Sequence, residues 1–343
     1  MKKYVFFIFI LIGSYNSFSQ GTWHILPNSP YQPFRQDDLY FITPDIGWVV
    51  NIRGEIWKTT NGGDNWKQLM RTTTAYRCVG FIDSLHGFVG NLGPAHWANS
   101  RDTVPLYKTT DGGKTWQPIN TFAGPKPKGI CGLYVVNSSV IVGVGRIDGP
   151  AFFIRTVDGG KTWQSKDMSN YAGMLIDAWF TSKDTGFVVG GSSSIRGASK
   201  AIILYTTDGG TTWVTKLKSD VRGSYCWKIS HPSKQYFYVS DEEQLMTDTL
   251  RFMKSSDGGK TWSECVIHDQ LYGYSQGIGF INNKIGWIGG SPDYSLITTD
   301  GGKTFNKTDT NMLLNMNRIR VINDHLAYAA GQKIYKYYVD KPK

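Results

Sequence analysis

From Asp38 to Tyr338 the chain alternates short apolar runs with tight polar clusters at even spacing. Runs of this length, rich in aromatic and β-branched residues and bounded by turn formers, predict strands rather than helices. One phrase recurs at residues 41–50, 81–90, 180–190 and 280–289. Each copy starts at a Phe, passes through a polar turn, and resumes at Gly47, Gly87, Gly186 or Gly286 with an aromatic residue immediately after. Residues 133–143 and 229–240 keep the pattern with different turns. Two antiparallel strands, a and b, are predicted from each copy.

A second phrase supplies strands c and d. Its copies occupy residues 59–66, 109–116, 156–163, 206–213, 255–262 and 298–305, with Asn61, Asp111, Asp158, Asp208, Asp257 and Asp300 at the third position. Successive intervals are 50, 47, 50, 49 and 43 residues, a period that marks a repeat architecture. Gly-Gly after the Asp tolerates positive φ, and the carboxylate is placed to accept bonds from N–H groups two or three residues on. The pattern Ser/Thr-x-Asp-x-Gly-x-Thr-Trp resembles the Asp-box of bacterial-neuraminidase-type repeats, a hairpin signature of propeller blades. On that resemblance the Trp packs between neighbouring elements and the Asp ties the turn, so the six boxes are read as scaffold rather than as ligands.

Four strands per repeat, arranged radially, predict an all-β propeller. Six boxes make six blades. A seventh set, 319–322, 326–330 and 333–338, lacks both box and strand d, whereas Thr22-Trp23 near the start resembles the tail of a box. The predicted fold is therefore a seven-bladed β-propeller of four-stranded blades, closed by the N-terminal strand completing the last blade, which leaves no open sheet edge at the seam.

Charge and targeting refine this picture. Residues 1–19 carry Lys2 and Lys3, an apolar run and a small polar segment, which predicts a signal peptide ahead of one domain at 20–343. The apolar run is too short to span a bilayer, and no later stretch reaches that length. An exported, periplasmic or extracellular monomer is expected, with no membrane span after signal removal. The net charge of +10 is spread around the ring by lysines in or beside the boxes, without a basic block, so no nucleic-acid partner is expected. Cys78, Cys131, Cys226 and Cys265 have no metal-binding spacing and are read as free thiols; neither a metal nor a cofactor is expected.

Alternation of strands puts the boxes on one face and the b–c and d–a connections on the other. Long loops on a rigid frame are where binding usually resides, so the loop-rich face opposite the boxes is the candidate surface. The longest b–c loop, 91–105, carries Trp97 and Arg101; 191–200 carries Arg196; 240–249 carries Asp241, Glu242 and Glu243. Around the starts of the inner strands stand Asp38, Arg77, Asp177, Trp227, Arg318 and Arg320, which either line a central pocket or pair with one another.

Two function classes follow. Sialidases share the box, and Arg35, Arg77, Arg318 and Arg320 could bind a carboxylate, but the Arg-Ile-Pro segment of those enzymes is missing. Asp38 and Asp177 are candidates for the two carboxylates of a hydrolase, but no local motif supports them. A lectin would use Trp97, Tyr225 and Trp227 as stacking platforms. Gly143 and Gly145 lack the third glycine and following helix of a dinucleotide site. The alternation of both phrases from Trp23 to Tyr337 resembles the photosystem II stability/assembly-factor family of seven-bladed propellers. That resemblance implies a non-enzymatic assembly chaperone with a protein partner held on an arginine-bearing surface, and no catalytic residue. The carbohydrate-active reading, a glycoside hydrolase or lectin using the central pocket, is the alternative.

Overall fold

The computed structural model describes residues 21–94, 100–244, 249–267, 275–290, 294–308 and 315–338. The expected signal peptide lies outside them. Seven separate four-stranded antiparallel sheets follow one another around a ring. Blade 1 comprises Asp38–Phe41, Gly47–Val50, Glu55–Thr59 and Lys67–Arg71, as strands a to d. The a strands of blades 2 to 6 are Tyr76–Phe81, Gly132–Val135, Met174–Phe180, Ser224–Ser230 and Gly277–Phe280. Blade 7 contains Arg318–Asn323, Leu326–Ala330 and Ile334–Tyr338, and its fourth strand is Thr22–Ile25. Thr22 pairs with Tyr338 and Ile25 with Tyr335, so the N-terminal strand closes the ring as the box remnant predicts.

The Phe…Gly phrase has a packing reason. Phe81 sits directly across the hairpin from Gly87, and a Cβ at Gly87 would overlap its ring; Gly47, Gly186 and Gly286 stand in the same relation to Phe41, Phe180 and Phe280. The ring so bared is stacked on by an aromatic residue of the preceding blade. Trp48 lies 3.5 Å from Phe81, Tyr238 3.5 Å from Phe280 and Tyr328 3.8 Å from Phe41, all nearly parallel. The box tryptophans meet the same rings edge-on, Trp116 on Phe81 at 6.1 Å and Trp66 on Phe41 at 6.2 Å. Others close further interfaces, Trp163 on Phe88 at 5.4 Å and Trp262 on Phe187 at 5.6 Å. Trp23 meets Trp287 at 5.2 Å in the same T-shaped way, so the closing strand brings the missing tryptophan with it. Each such pair adds about 0.5–1.5 kcal/mol beyond its buried area.

Within each box the leading hydroxyl does two jobs. Thr109 Oγ1 donates to Asp111 Oδ1 at 2.8 Å and accepts from Gly113 N at 2.9 Å. The carboxylate reaches one residue further than anticipated: Asp111 accepts from Thr115 N at 2.9 Å and Thr115 Oγ1 at 2.6 Å, four positions on. Bonds three positions on are added at Lys161 and Lys303. Cations near the ends of several c strands then tie one blade to the box of the next. Lys254 donates to Gly301 O at 2.8 Å, Arg155 to Gly209 O at 3.0 Å and Lys336 to Gly62 O at 3.2 Å.

One detail differs from the sequence expectation. Asp241, Glu242 and Glu243 are not in a loop but extend strand Phe237–Glu243, paired with Leu250–Ser255. Tyr225 Oη donates to Glu242 at 2.6 Å and Arg251 meets Glu243 at 2.8 Å, whereas both oxygens of Asp241 are buried without a hydrogen-bond partner and burial pushes that carboxyl well up. Of the four free thiols, Cys78, Cys131 and Cys226 are buried, and Cys265 is partly exposed on an outer strand. No helix among the described residues is long and apolar enough to cross a membrane.

Two outcomes test this construction. Thr109→Val keeps the shape but leaves Gly113 N–H and Asp111 without their partner, and should cost about 1–2 kcal/mol in urea denaturation. Hydroxyl and backbone donors of the same box, led by Thr115 for Asp111, Thr162 for Asp158 and Thr304 for Asp300, hold those three carboxyls far below the usual range. Thr212 and Thr261 do the same for Asp208 and Asp257, at about 2. Because these pKa values are depressed on folding, their contribution is complete above the unfolded value of about 4 and is lost as pH falls toward 2. The melting temperature should therefore drop across that window, and removing one titrating carboxylate at a time by Asp→Asn should flatten the drop.

Candidate functional site

The seven a strands run beside the axis and carry their charges to one place. Arg318 from blade 7 donates through Nη1 and Nη2 to both oxygens of Asp177 from blade 4, at 2.8 and 2.9 Å. Its Nε donates to Asp38 Oδ1 from blade 1 at 2.9 Å. Both carboxylates also bind backbone: Asp38 accepts from Leu39 N and Val79 N, and Asp177 from Ile229 N. Burial pushes the Asp177 carboxyl up, but Arg318 and Lys228 outweigh it and hold it at about 2. Lys228 is buried on blade 5 without a hydrogen-bond acceptor, and burial together with Arg318 lowers its pKa to about 7.

A second layer lies toward the loop-rich face. Arg77 Nη1 meets Asp37 Oδ1 at 3.3 Å, and Arg35 Nε meets the same oxygen at 3.4 Å. The two guanidinium groups lie over Trp227, 5.0 and 5.6 Å from its ring, while Trp227 Nε1 donates to Asn317 Oδ1 at 2.7 Å. Above them Ala75, Leu92, Cys131, Ile147, Met174, Ile176 and Tyr225 pack into one apolar cluster. Among the described residues this buried cluster fills the axis on the loop-rich side. Asp38, Arg77, Asp177, Trp227 and Arg318 are all buried and paired; of the two readings open to the sequence, mutual pairing is what the structure shows.

The opening is at the other end. A funnel of about 420 Å³ is lined by the last residues of the a strands, among them Tyr40, Tyr134, Trp179 and His231, with Arg318 at its base. It opens on the side of the Asp-boxes, since a–b turns and c–d turns share that face. Arg320, which the sequence grouped with the loop-face residues, lines this funnel instead, because it lies two residues further down its strand than Arg318.

On the loop-rich face Arg196 is half-buried and bonds bidentately to Asp148 of blade 3, at 2.6 and 2.9 Å, clamping two blades. Arg101 is exposed; Trp97 lies outside the described residues. The same face exposes Arg53 in a b–c turn, Arg71 at the end of a d strand and Arg222 in a d–a connection. It also exposes Tyr31, Phe34 and Ile195, each more than half accessible. These residues escaped the sequence reading because they sit singly in short connections; their common signal is the strand end that each adjoins. Among the described residues no group of three His, Cys, Asp or Glu side chains is placed to hold a metal ion.

The BNR/Asp-box repeat model matches residues 107–118. No curated protein matches the sequence. Among solved structures, YCF48 bound to D1 peptide aligns with a TM-score of 0.66 at 17% identity, covering 95% of this chain and 98% of that one. YCF48 from Cyanidioschyzon merolae aligns at 0.66 and 16%, covering 92% and 98%. The GH74 xyloglucanase from Xanthomonas campestris aligns at 0.65 and 12%, with 92% of this chain on 53% of that one. The chain is a seven-bladed Asp-box β-propeller, built on the fold that it shares with YCF48.

Proposed function

We propose that this chain is an exported, non-enzymatic binding scaffold that holds a protein partner on its loop-rich face. One observation carries the reading: the axial acids are consumed inside the fold, whereas arginines and large apolar side chains stand exposed on the loop face. A hydrolase needs two carboxylates facing a substrate across a gap of ~5–10 Å. Asp38 and Asp177 instead share one guanidinium and bind backbone amides. Trp227 and Tyr225 are buried and hydrogen-bonded, so neither offers a face to a sugar.

Arg53, Arg71, Arg101 and Arg222, with Tyr31, Phe34 and Ile195, combine the residue types that anchor protein interfaces. Arg53 lies 5.3 Å from the ring of Phe34, a cation–aromatic pair presented to solvent. YCF48, of the same fold, is known bound to a D1 peptide, and that supports a polypeptide as the partner class here.

Affinity capture from the exported fraction of the native cell, with the triple variant Arg53→Glu, Arg71→Glu, Arg101→Glu beside the wild type, tests the face. The variant should recover at least tenfold less partner at an unchanged melting temperature. Charge reversal at Lys114, Lys161 and Lys303 on the box face should leave recovery intact. Equal recovery with the arginine variant, or turnover of chromogenic glycosides, would sink the proposal. The axial network makes its own prediction. Arg318→Met strands two buried carboxylates and should cost about 3–5 kcal/mol in urea denaturation, with Asp38→Asn and Asp177→Asn partly restoring stability.

A further inference from the structure

The axial funnel on the Asp-box face is a separate site from the loop surface, and its donors are not all used. The carboxylates beneath it are already engaged: Asp38 Oδ1 accepts from Arg318 and Leu39 N, Asp38 Oδ2 from Val79 N, and Asp177 takes both Arg318 nitrogens. Arg320 is left over. Its Nε donates to Leu39 O at 3.2 Å, but its buried Nη2 has no hydrogen-bond partner and stands 3.8 Å from the already occupied Asp38 Oδ1. Lys228 Nζ, one residue before the funnel-lining Ile229, and His231 Nε2, within the lining, are likewise buried without partners. Burial keeps His231 neutral near pH 7, its pKa lowered to about 4. The balance of charge at the axis therefore favours an incoming anion.

The walls define what kind of anion. Tyr134 and Trp179 lie 4.7 Å apart, and Trp179 and His231 5.0 Å apart, forming a continuous arc of ring faces. Opposite them, the Arg320 guanidinium lies 5.4 Å from the Tyr40 ring. A volume of about 420 Å³ falls at the lower end of small-molecule sites, roughly 300–1,000 Å³. We infer that the funnel binds a small aromatic carboxylate, its ring against Tyr134 and Trp179 and its carboxylate on the free edge of Arg320. Buried donors without acceptors are costly, so an anion that satisfies Nη2 gains more than one held at an exposed arginine.

Calorimetric titration of the full chain without its expected signal peptide tests this, with 4-hydroxybenzoate as the probe. Saturable one-to-one binding is expected, at least tenfold tighter than 4-hydroxybenzamide, glucuronate or inorganic phosphate. Arg320→Gln should weaken the probe at least tenfold, and Trp179→Leu should weaken it while leaving phosphate unchanged. Arg320→Lys, which keeps the charge, should retain part of the affinity and guards against a folding artefact, as does an unchanged melting temperature. Equal binding of the amide would remove the role of charge, and equal binding of phosphate or glucuronate would remove that of the aromatic wall. No binding of the probe, or full binding by Arg320→Gln, would overturn the assignment.

Discussion

One guanidinium, that of Arg318, joins three blades across the axis, and the character of the centre follows from it. It reaches Asp177 on blade 4 and Asp38 on blade 1, which in turn hold backbone amides of the strands beside them. A bidentate Arg–carboxylate pair with further hydrogen bonds from backbone amides is the arrangement in which burial of charge is tolerated. The consequence for function is direct. Acids that would do chemistry in an open channel are locked into holding the ring together.

Around that centre the blades are joined by a device repeated with small changes. A glycine clears the face of a Phe ring, an aromatic of the preceding blade stacks on it, and a box tryptophan closes the interface from the edge. Aromatic contacts of this kind are directional as well as apolar, which sets the angle between blades as well as their affinity. The box carboxylate stiffens the turn that carries the tryptophan, and the lysine or arginine ending the neighbouring c strand caps it. The lysines that make the protein basic are thus partly structural, because several of them serve blade-to-blade bonds.

The two faces diverge for topological reasons. Hairpin turns that must stay tight are all on the box face, so that side is regular and surrounds an open funnel. Connections free to vary are all on the other side, where a buried apolar cluster fills the axis and arginines with exposed aromatics cover the surface. The loop surface proposed for a protein partner and the funnel inferred to take a small anion therefore lie at opposite ends of the axis.

How much of this was legible in the sequence depends on range. The strands, the six boxes, the boxless seventh blade and its completion by Thr22–Ile25 were written locally, because turn chemistry and a period-two pattern need only a few neighbouring residues. The list of axial charges was legible too, since the repeat aligns Asp38, Arg77, Asp177 and Arg318 at similar depths. Their partners were not. Asp38 and Arg318 are 280 residues apart, and which oxygen meets which nitrogen depends on the radius of the closed ring. The same holds for Arg320, which a shift of two residues moves from the filled end to the funnel, and for Arg53, Arg71 and Tyr31, which become a surface only when separate connections are brought to one face. The sequence alone determined the blades and their number; closure of the ring decided which charges cancel and which remain to meet a ligand, because that balance is set by distances across the axis that no local pattern encodes.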